Sequence, residues 1–289
     1  MNTAAMQKEF ALITQILNRE LGEKVPEGAW QVTGYSASKP LGSLDTAIHA
    51  ISPDGQSWSR HFNPDKTWGG WVRDDSHVEP GATVRPGAIV CGRRTFLDKD
   101  VLVADSLVGP NTLLKPGTSV TNGSIVHGDH SEGDHFWPNR TVAENSRIAG
   151  GRVFGSRLKN AEVSDGALVN RSRVEDALVS GQGTHVHKRS EVLSGAKVTG
   201  GAHLMHSKAE NGGVVDGPHT TGIWIVVKNG SQLLGGVSRN GTYISGEVVA
   251  ENNISGIGVQ GGVRQFLDTP FQRPFRRIPG GGAQQERVR

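Results

Sequence analysis

The chain has 289 residues, among them 40 glycines, one cysteine and only 6% aromatic side chains, so it can hold one large domain or two modest ones with few conventional core residues. The single cysteine, Cys91, excludes an internal disulfide framework, and no apolar run is long enough to cross a bilayer, so we expect a cytoplasmic protein without membrane association. The formal net charge is +3, but residues 264–289 hold six arginines against two acidic residues, so the basic character resides in this segment and nucleic-acid binding is not indicated.

Residues 1–72 predict a small α+β head. Within 3–21, four apolar residues at helical spacing share one stripe: Phe10, Ile13, Leu17 and Leu21. The segment 29–35 then predicts a strand, and 46–62 predicts a hairpin with its turn at Pro53-Asp54-Gly55. A head of this kind can close one end of a repetitive structure that follows it.

Beyond the head, apolar residues recur at every sixth position. The nine positions of this register are Val78, Val84, Val90, Phe96, Leu102, Val108, Leu114, Val120 and Val126. Four residues after each of the first eight stands a small side chain, except at Arg94 and Asp100. A helix repeats every 3.6 residues and a strand every two, so this period predicts a solenoid of short strands, three to a coil, with the aliphatic residues inside. Arg94 and Asp100 then indicate either a distorted turn in which both reach solvent or an ion pair that specifies a contact.

The period continues, with slips, towards residue 263. From Val142 to Leu204 the steps are mostly five or six residues, and an irregular segment at 209–222 precedes a last apolar block. A right-handed pentapeptide prism is the rival interpretation, but it requires a sustained period of five. The predicted organisation is therefore a β-helix over 73–263 with an extruded loop at 127–141, followed by a basic flexible tail at 264–289.

The repeat, with corners such as "RPGA", "KPGT" and "SDGA", resembles the hexapeptide-repeat family, in which an aliphatic residue is followed four positions later by a small one. This resemblance covers about 78–208 and implies an all-β solenoid, a left-handed parallel β-helix, which is usually a homotrimer. The sequence "GGWV" at 69–72 and the mixture of five- and six-residue steps resemble, more loosely, the YdcK-like proteins of this family, which are regarded as transferases.

The stretch "HGDHSEGDHFWPNR", at 127–140, concentrates side chains that transfer protons or bind metals. Val126 is in register and Val142 resumes the period, so about ten residues leave the coil between them. In hexapeptide acyltransferases, such a loop and a nearby histidine commonly form the active site between two subunits, where the histidine removes the proton from a hydroxyl or amine that attacks acyl-CoA. The resemblance points to His127, the first residue after the strand, as this base. The other candidates in the loop are His130, His135 and the orienting residue Asp129.

Other interpretations of this stretch are open. It is a solvated polar loop, or a zinc site, because the spacing of His130 and His135 suits that metal. The β-helical γ-class carbonic anhydrases carry a similar pair in "GHSAIIHG", but "NGSIVHG" here has Asn122 in place of the first histidine, so we predict no metal. The whole protein is then an acyltransferase-like enzyme with acyl-CoA as co-substrate, no permanently bound cofactor and an unknown small-molecule acceptor. The alternative is a non-catalytic β-helical scaffold or binding module.

A second set of histidines depends on how the coils stack. His185 and His203 are one coil of 18 residues apart, and each directly precedes an inward residue, Val186 or Leu204. Both histidines should therefore face outward, one above the other. Such a face lines a subunit interface or a ligand cleft, unless it reflects only that side chains on one face recur at the coil period.

Overall fold

The structure is a computed structural model that describes residues 3–36, 46–128, 140–217, 220–223, 225–234, 237–239, 243–245, 249–251, 254–255, 258–260 and 264–266. The chain divides into two compact units, Met1–Gly128 and Asp129–Arg289. Among the described residues there is no helix with the length and apolar character that a bilayer crossing requires. Most of the predicted loop at 127–141, and the predicted tail beyond Phe266, lie outside the described residues.

The described part of the first unit contains one helix and a series of strands. These are α1 (Thr3–Glu20), β1 (Gln31–Ser36), β2 (Thr46–Ile51), β3 (Ser57–Phe62), β4 (Trp68–Arg73), β5 (His77–Val78), β6 (Thr83–Val84), β7 (Ile89–Val90), β8 (Phe96–Leu97), β9 (Leu102–Val103), β10 (Leu107–Val108), β11 (Thr112–Leu114), β12 (Ser119–Thr121) and β13 (Ile125–His127). Strands β1 to β4 form an antiparallel sheet, and β4, β7, β10 and β13 form a parallel series. Two further parallel series consist of β5, β8 and β11 and of β6, β9 and β12.

The predicted α+β head is confirmed, because the helix buries its apolar stripe. All four predicted stripe residues are buried, at 0–9% exposure: Phe10, Ile13, Leu17 and Leu21. Phe10 stacks on Trp30 with ring centroids 4.6 Å apart and packs against Trp71 at 5.2 Å. The helix also covers Ile89 and Leu107, which point out of the solenoid, so one apolar cluster joins the head to the coils that follow it.

Strand β4 is where the head becomes a solenoid. It pairs antiparallel with β3 on one edge and parallel with β7 on the other. A Cβ atom at Gly69 would lie 1.7 Å from the carbonyl oxygen of Val84, and one at Gly70 would lie 2.3 Å from that of Ala88. The two glycines of "GGWV" therefore allow the backbone of β4 to lie directly against the first coil, where any side chain would collide.

The inward register of the first unit differs from the predicted one at two strands. Phe96 is 38% exposed and Leu97 is fully buried, and in β9 the inward residue is Val103 in place of Leu102. The pairing of Val78 with Leu97 and of Val84 with Val103 fixes this arrangement. The corner before β8 contains one extra residue. The next inward residue after Val90 is therefore Leu97, seven residues later and not six.

That extra residue also accounts for Arg94 and Asp100. Both have a left-handed backbone, with φ of 61° and 59°, and both are exposed at corners. Thr95 and Val101, each 1% exposed, instead occupy the buried corner positions that the repeat assigns to small residues. The interpretation in which both charged residues reach solvent is confirmed.

The described part of the second unit is a solenoid throughout. Its strands are β14 (Thr141–Glu144), β15 (Arg147–Ala149), β16 (Arg152–Phe154), β17 (Arg157–Lys159), β18 (Glu162–Ser164), β19 (Leu168–Asn170), β20 (Arg173–Glu175), β21 (Leu178–Ser180), β22 (His185–His187), β23 (Glu191–Leu193), β24 (Lys197–Thr199), β25 (His203–Met205), β26 (Lys208–Glu210), β27 (Val214–Asp216), β28 (Thr221–Ile223), β29 (Val226–Lys228), β30 (Gln232–Leu234), β31 (Val237–Arg239), β32 (Tyr243–Ser245), β33 (Val249–Glu251), β34 (Ile254–Ser255), β35 (Gly258–Gln260) and β36 (Arg264–Phe266). Strands three positions apart in the chain pair in parallel, so the three sides of the solenoid are three parallel sheets. The predicted all-β solenoid is confirmed.

The second unit corrects two details of the predicted register. In β14 the inward residue is Ala143, fully buried and paired with Leu158, and not Val142. From Ala143 to Val163 the inward residues are five apart, so three five-residue sides close a coil of 15 residues. Five-residue and six-residue sides thus coexist in one three-sided solenoid.

The predicted irregular segment at 209–222 is also wrong, because the coils continue through it. Ala209 and Val215 are fully buried inward residues, and they pair with Val227 and Leu233 of the next coil. Glycine disguises this regularity in the sequence. A Cβ at Gly213, for example, would lie 2.4 Å from the carbonyl oxygen of Val227.

Small polar residues two positions before the inward residues stabilise the coils from inside. The Ser190 hydroxyl donates to the carbonyl oxygen of His187 at 2.8 Å and accepts the Ser207 N–H of the next coil at 3.3 Å. Ser156 makes the same contacts with Phe154 and Ser172. Because the hydroxyls of Ser156 and Ser190 both donate and accept, these two corners carry a buried polar group without leaving it unsatisfied.

Candidate functional site

His127 ends β13 and lies on the outer face of the first unit. The register of β4, β7, β10 and β13 places Arg73, Cys91, Gly109 and His127 in one outward column, directly after the residues that pair. The neighbouring column, which contains Ile89 and Leu107, is buried under α1. His127 is therefore positioned by a regular strand, at the edge of the surface that the helix covers.

The orientation of the His127 ring follows from one hydrogen bond. Nδ1 lies 2.5 Å from the carbonyl oxygen of Gly128, which can only accept. In a neutral imidazole the proton must then reside on Nδ1, so Nε2 carries the lone pair. The side chain is half-buried.

Gly109 creates the space in which His127 sits. A Cβ at this position would lie 2.8 Å from Leu21 Cδ2 and 3.0 Å from His127 Cβ. The end of the helical segment and the histidine therefore both approach the bare backbone of β10 and its following residue. Any side chain at 109 would push one of them away.

Cys91, in the same column, is not a nucleophile. It is fully buried beside Arg73, whose guanidinium bonds Glu23 at 2.8 Å and Asp75 at 2.9 Å. Burial raises the pKa of the Cys91 thiol well above its ordinary value, and this outweighs the lowering by the Arg73 charge. The protonated, enclosed thiol has a packing role.

The remaining predicted site residues lie outside the described part of the chain. These are Asp129, His130 and His135, which belong to 129–139. Their roles as alternative bases or as an orienting carboxylate stay predictions. Among the described residues no group of three or more histidine, cysteine, aspartate or glutamate side chains is arranged to hold a metal ion.

The second unit carries a histidine cluster that the sequence predicted in part. His185 and His203 pair across β22 and β25, and their rings stack with centroids 4.5 Å apart and an interplanar angle of 26°. His187 meets His185 edge-on at 6.4 Å. The predicted outward stacking is confirmed, because the residue between the two histidines of β22, Val186, is the buried one. The coil period is the signal that located this pair.

Basic residues complete this cluster, and among them the sequence interpretation did not include Lys188 and Arg189. Lys188 and Arg189 follow β22, and His206 follows β25. We call these three together with His185, His187 and His203 the histidine patch. Burial lowers the pKa of His187 to about 4, assisted by the charges of His185 and Lys188 and of the other two histidines. The pKa values of His185 and His206 are also lowered, first by burial and then by basic neighbours.

A shallow groove of about 480 Å³ lies at another corner of the second unit. Along it Asn145 donates to Asn160 at 2.9 Å, and Asn160 donates to Asp176 at 2.8 Å, all three with left-handed backbone. Ala161 and Ala196 form part of its floor, and Lys197 lies at its side. The polar corner residues satisfy one another, so the groove does not present a set of side chains aimed at a ligand.

Comparison with known proteins gives only distant likenesses. No known family profile and no curated protein matches the chain. The chain is similar to the solved structure of a UDP-N-acetylglucosamine acyltransferase from Arabidopsis, at 12% identity over 67% of this chain and 72% of that one, with a TM-score of 0.25. It is also similar to the corresponding enzyme from Francisella novicida, at 12% identity over 62% and 64% of the two chains, with a TM-score of 0.20. The strand pairing described above, and not these likenesses, carries the fold.

Proposed function

We propose that the protein transfers an acyl group from acyl-CoA to a hydroxyl or amine acceptor, with His127 as general base. The observation that carries this proposal is the hydrogen bond between Nδ1 of His127 and the Gly128 carbonyl. It holds the ring in the tautomer whose Nε2 can take a proton, and it performs the orienting role for which the sequence suggested Asp129. His130 and His135 remain alternative bases in this proposal.

The step that His127 catalyses conserves protons and charge. Nε2 takes the proton from the acceptor O–H or N–H while the acceptor atom forms a bond to the thioester carbonyl carbon, and a tetrahedral intermediate results. The carbon–sulfur bond then breaks, and the imidazolium returns the proton to the departing CoA thiolate. An imidazole with a pKa near neutrality suits both halves of this exchange, because it accepts and releases the proton at similar cost.

The assembly proposed for this function is a homotrimer, as the hexapeptide resemblance implies, acting on a small molecule and without membrane or nucleic-acid partners. The scaffold alternative loses one of its arguments. An irregular chain at 209–222 would favour a scaffold, whereas inward Ala209, Val215 and Leu233 show that the coils continue.

Acetyl-CoA binding by isothermal calorimetry, followed by thiol release in the presence of amine and alcohol acceptors, tests the proposal. We expect His127→Gln to bind acetyl-CoA as the parent does but to release CoA at least about 100-fold more slowly, since general base catalysis typically supplies a factor of that order or more. The matched control is His77→Gln, an exposed histidine on β5. Because Cys91 is fully buried, a thiol reagent meets little background from the protein itself.

Three outcomes decide between the alternatives. Loss of turnover with retained binding in His127→Gln, but not in His77→Gln, supports the proposed base. Turnover that survives this substitution refutes the role of His127. If the parent protein binds neither acetyl-CoA nor longer acyl-CoA thioesters, the transferase proposal is wrong and the scaffold reading is the one that stands.

A further inference from the structure

An open cavity of about 320 Å³ lies in the first unit, and we call it the head cavity. Its lining comes from β3, β4, β5 and the turn that precedes β5. Val72, which is 8% exposed, and the half-buried Val78 give it apolar surface, and the half-exposed ring of Phe62 lines it too. This part of the lining suits an aliphatic chain, so the polar groups decide which molecule the cavity can bind.

One of these polar groups is the imidazole of His61, which lines the cavity. Its Nε2 lies 3.0 Å from the carbonyl oxygen of Ala82, which can only accept, so in the neutral ring Nε2 carries the proton and Nδ1 the lone pair. Burial lowers the pKa of His61, and the hydrogen bond to Ala82 opposes this only in part, so the ring is uncharged at neutral pH. Nδ1 has no hydrogen-bond partner among the residues that the structure describes. It is therefore an acceptor that a ligand can use.

The backbone of Val78 provides a second acceptor. The N–H of the next residue, Glu79, donates to the Leu97 carbonyl of the following coil at 2.9 Å. Successive residues of a strand direct their N–H and C=O groups to opposite edges, so those of Val78 point away from that coil. Strand β5 is the last of its sheet, and no strand of the described residues pairs with this edge. At the equivalent edge of β6, by contrast, the Val84 N–H donates to the Asn63 side chain at 2.8 Å.

The charges around the head cavity leave one carboxylate unpaired. Each basic side chain in the lining already has a carboxylate partner: Arg60 has Glu9, Arg73 has Glu23 and Asp75, and His77 has Glu79. Asp74 also lines the cavity, and its exposed side chain has no ion pair or hydrogen bond within the part of the chain that the structure describes. The lining therefore carries an excess of negative charge, which favours a cation over an anion.

We propose that the head cavity binds a small organic cation with a primary ammonium group on an aliphatic chain. The three N–H groups of an ammonium ion match three acceptors of the lining, namely the Asp74 carboxylate, Nδ1 of His61 and the Val78 carbonyl. The hydrogen bond to the carboxylate is charge-assisted and is the strongest of the three. The ring of Phe62 contacts the aliphatic chain. This site is separate from the one proposed for acyl transfer and does not depend on it.

Isothermal calorimetry of the full chain with butylammonium chloride tests the proposal at low ionic strength and about pH 7.5, where the amine is charged and His61 is neutral. We expect saturable binding, which butanol should not show because it lacks the charge. Butyltrimethylammonium has the same chain and charge but no N–H, so it should bind at least about tenfold more weakly. If it binds as tightly as butylammonium, the three acceptors take no part and the proposal is wrong.

Asp74→Asn should weaken butylammonium binding at least about tenfold, because it removes the charged partner from an exposed turn that asparagine tolerates. The matched control is Asp100→Asn, which removes the same charge from an exposed corner outside the cavity. Equal weakening in the two variants overturns the proposal, and so does a parent protein that does not bind butylammonium. The comparison of the two ammonium ions uses the parent chain alone, so it decides the matter even if Asp74→Asn does not fold.

Discussion

The two units of the chain use the outward positions of the same kind of parallel strand in opposite ways. In the first unit, Trp71, Ile89 and Leu107 face outward and are buried under α1. In the second unit, the corresponding positions of β22 and β25 hold His185 and His203, which are half-buried and covered by no helix of the described residues. The inward residues are alike in both. The comparison teaches that the same coil interior can carry outward columns of different chemistry, one apolar and covered by a helix, the other made of histidines.

The first prediction concerns the packing of α1 on the first unit. Phe10→Ala should lower the free energy of unfolding by about 3–5 kcal/mol, because it deletes a fully buried ring of α1 that stacks on Trp30. Urea unfolding followed by tryptophan fluorescence measures this, since Trp30 and Trp71 lie in the same cluster. The control is Leu12→Ala on the same helix, where the leucine is 57% exposed. It should lower the free energy of unfolding by less than about 0.5 kcal/mol. A small effect of Phe10→Ala would mean that the helix covers the coils without stabilising them.

The second prediction concerns the interior of the second unit. Ser190→Ala should cost about 1–3 kcal/mol, because the Ser207 N–H loses its acceptor and the His187 carbonyl loses its donor inside the coil. Unfolding followed by circular dichroism checks this against Ser194→Ala, where the serine is exposed at a corner. If the two substitutions cost the same, the stacked hydroxyls do not stabilise the coils.

The third prediction, of the smallest effect, concerns the exposed face of the second unit. Unfolded His187 gains a proton as the pH falls through about 6.5, whereas the folded protein holds its pKa at about 4. The folded state is therefore fully stable above about pH 6.5 and loses stability as the pH falls towards 4. We expect this side chain to account for a loss of about 1 kcal/mol between pH 7 and pH 5, a figure reduced because water screens a half-exposed ring.

Urea unfolding at the two pH values measures that loss. His187→Gln should flatten the pH dependence. A slope that does not change in His187→Gln would show that the histidine patch does not oppose protonation.

The sequence predicted what depends on period and failed where two neighbouring residues are interchangeable. The stripe of α1 and the stacking of His185 on His203 follow from spacing alone. The inward register failed at Phe96-Leu97 and at Val142-Ala143, because either member of each pair can fill the interior and a corner can absorb one extra residue. Glycine hid the coil near Gly213 for a related reason: its missing side chain permits close packing of strands but also signals a turn.

The candidate sites could be predicted less well. His127 was singled out by its place at a strand end, but the tautomer that makes it a base depends on the Gly128 carbonyl, which no pattern of residue types reveals. The basic side of the histidine patch was missed because Lys188 and Arg189 sit at a corner, where the sequence signal is a turn. Their proximity to His206 depends on stacking across a whole coil.

Strand β4 has a consequence for how such a protein changes over evolutionary time. Its two edges, antiparallel to β3 and parallel to β7, convert a conventional sheet into a template on which a first coil can be laid. Coils added or lost far from this junction alter only nearest-neighbour contacts, so the number of coils can vary by duplication with little penalty. The two glycines of β4 have no such freedom. We expect Gly69 and Gly70 to vary less among homologous sequences than the outward-facing residues of the coils.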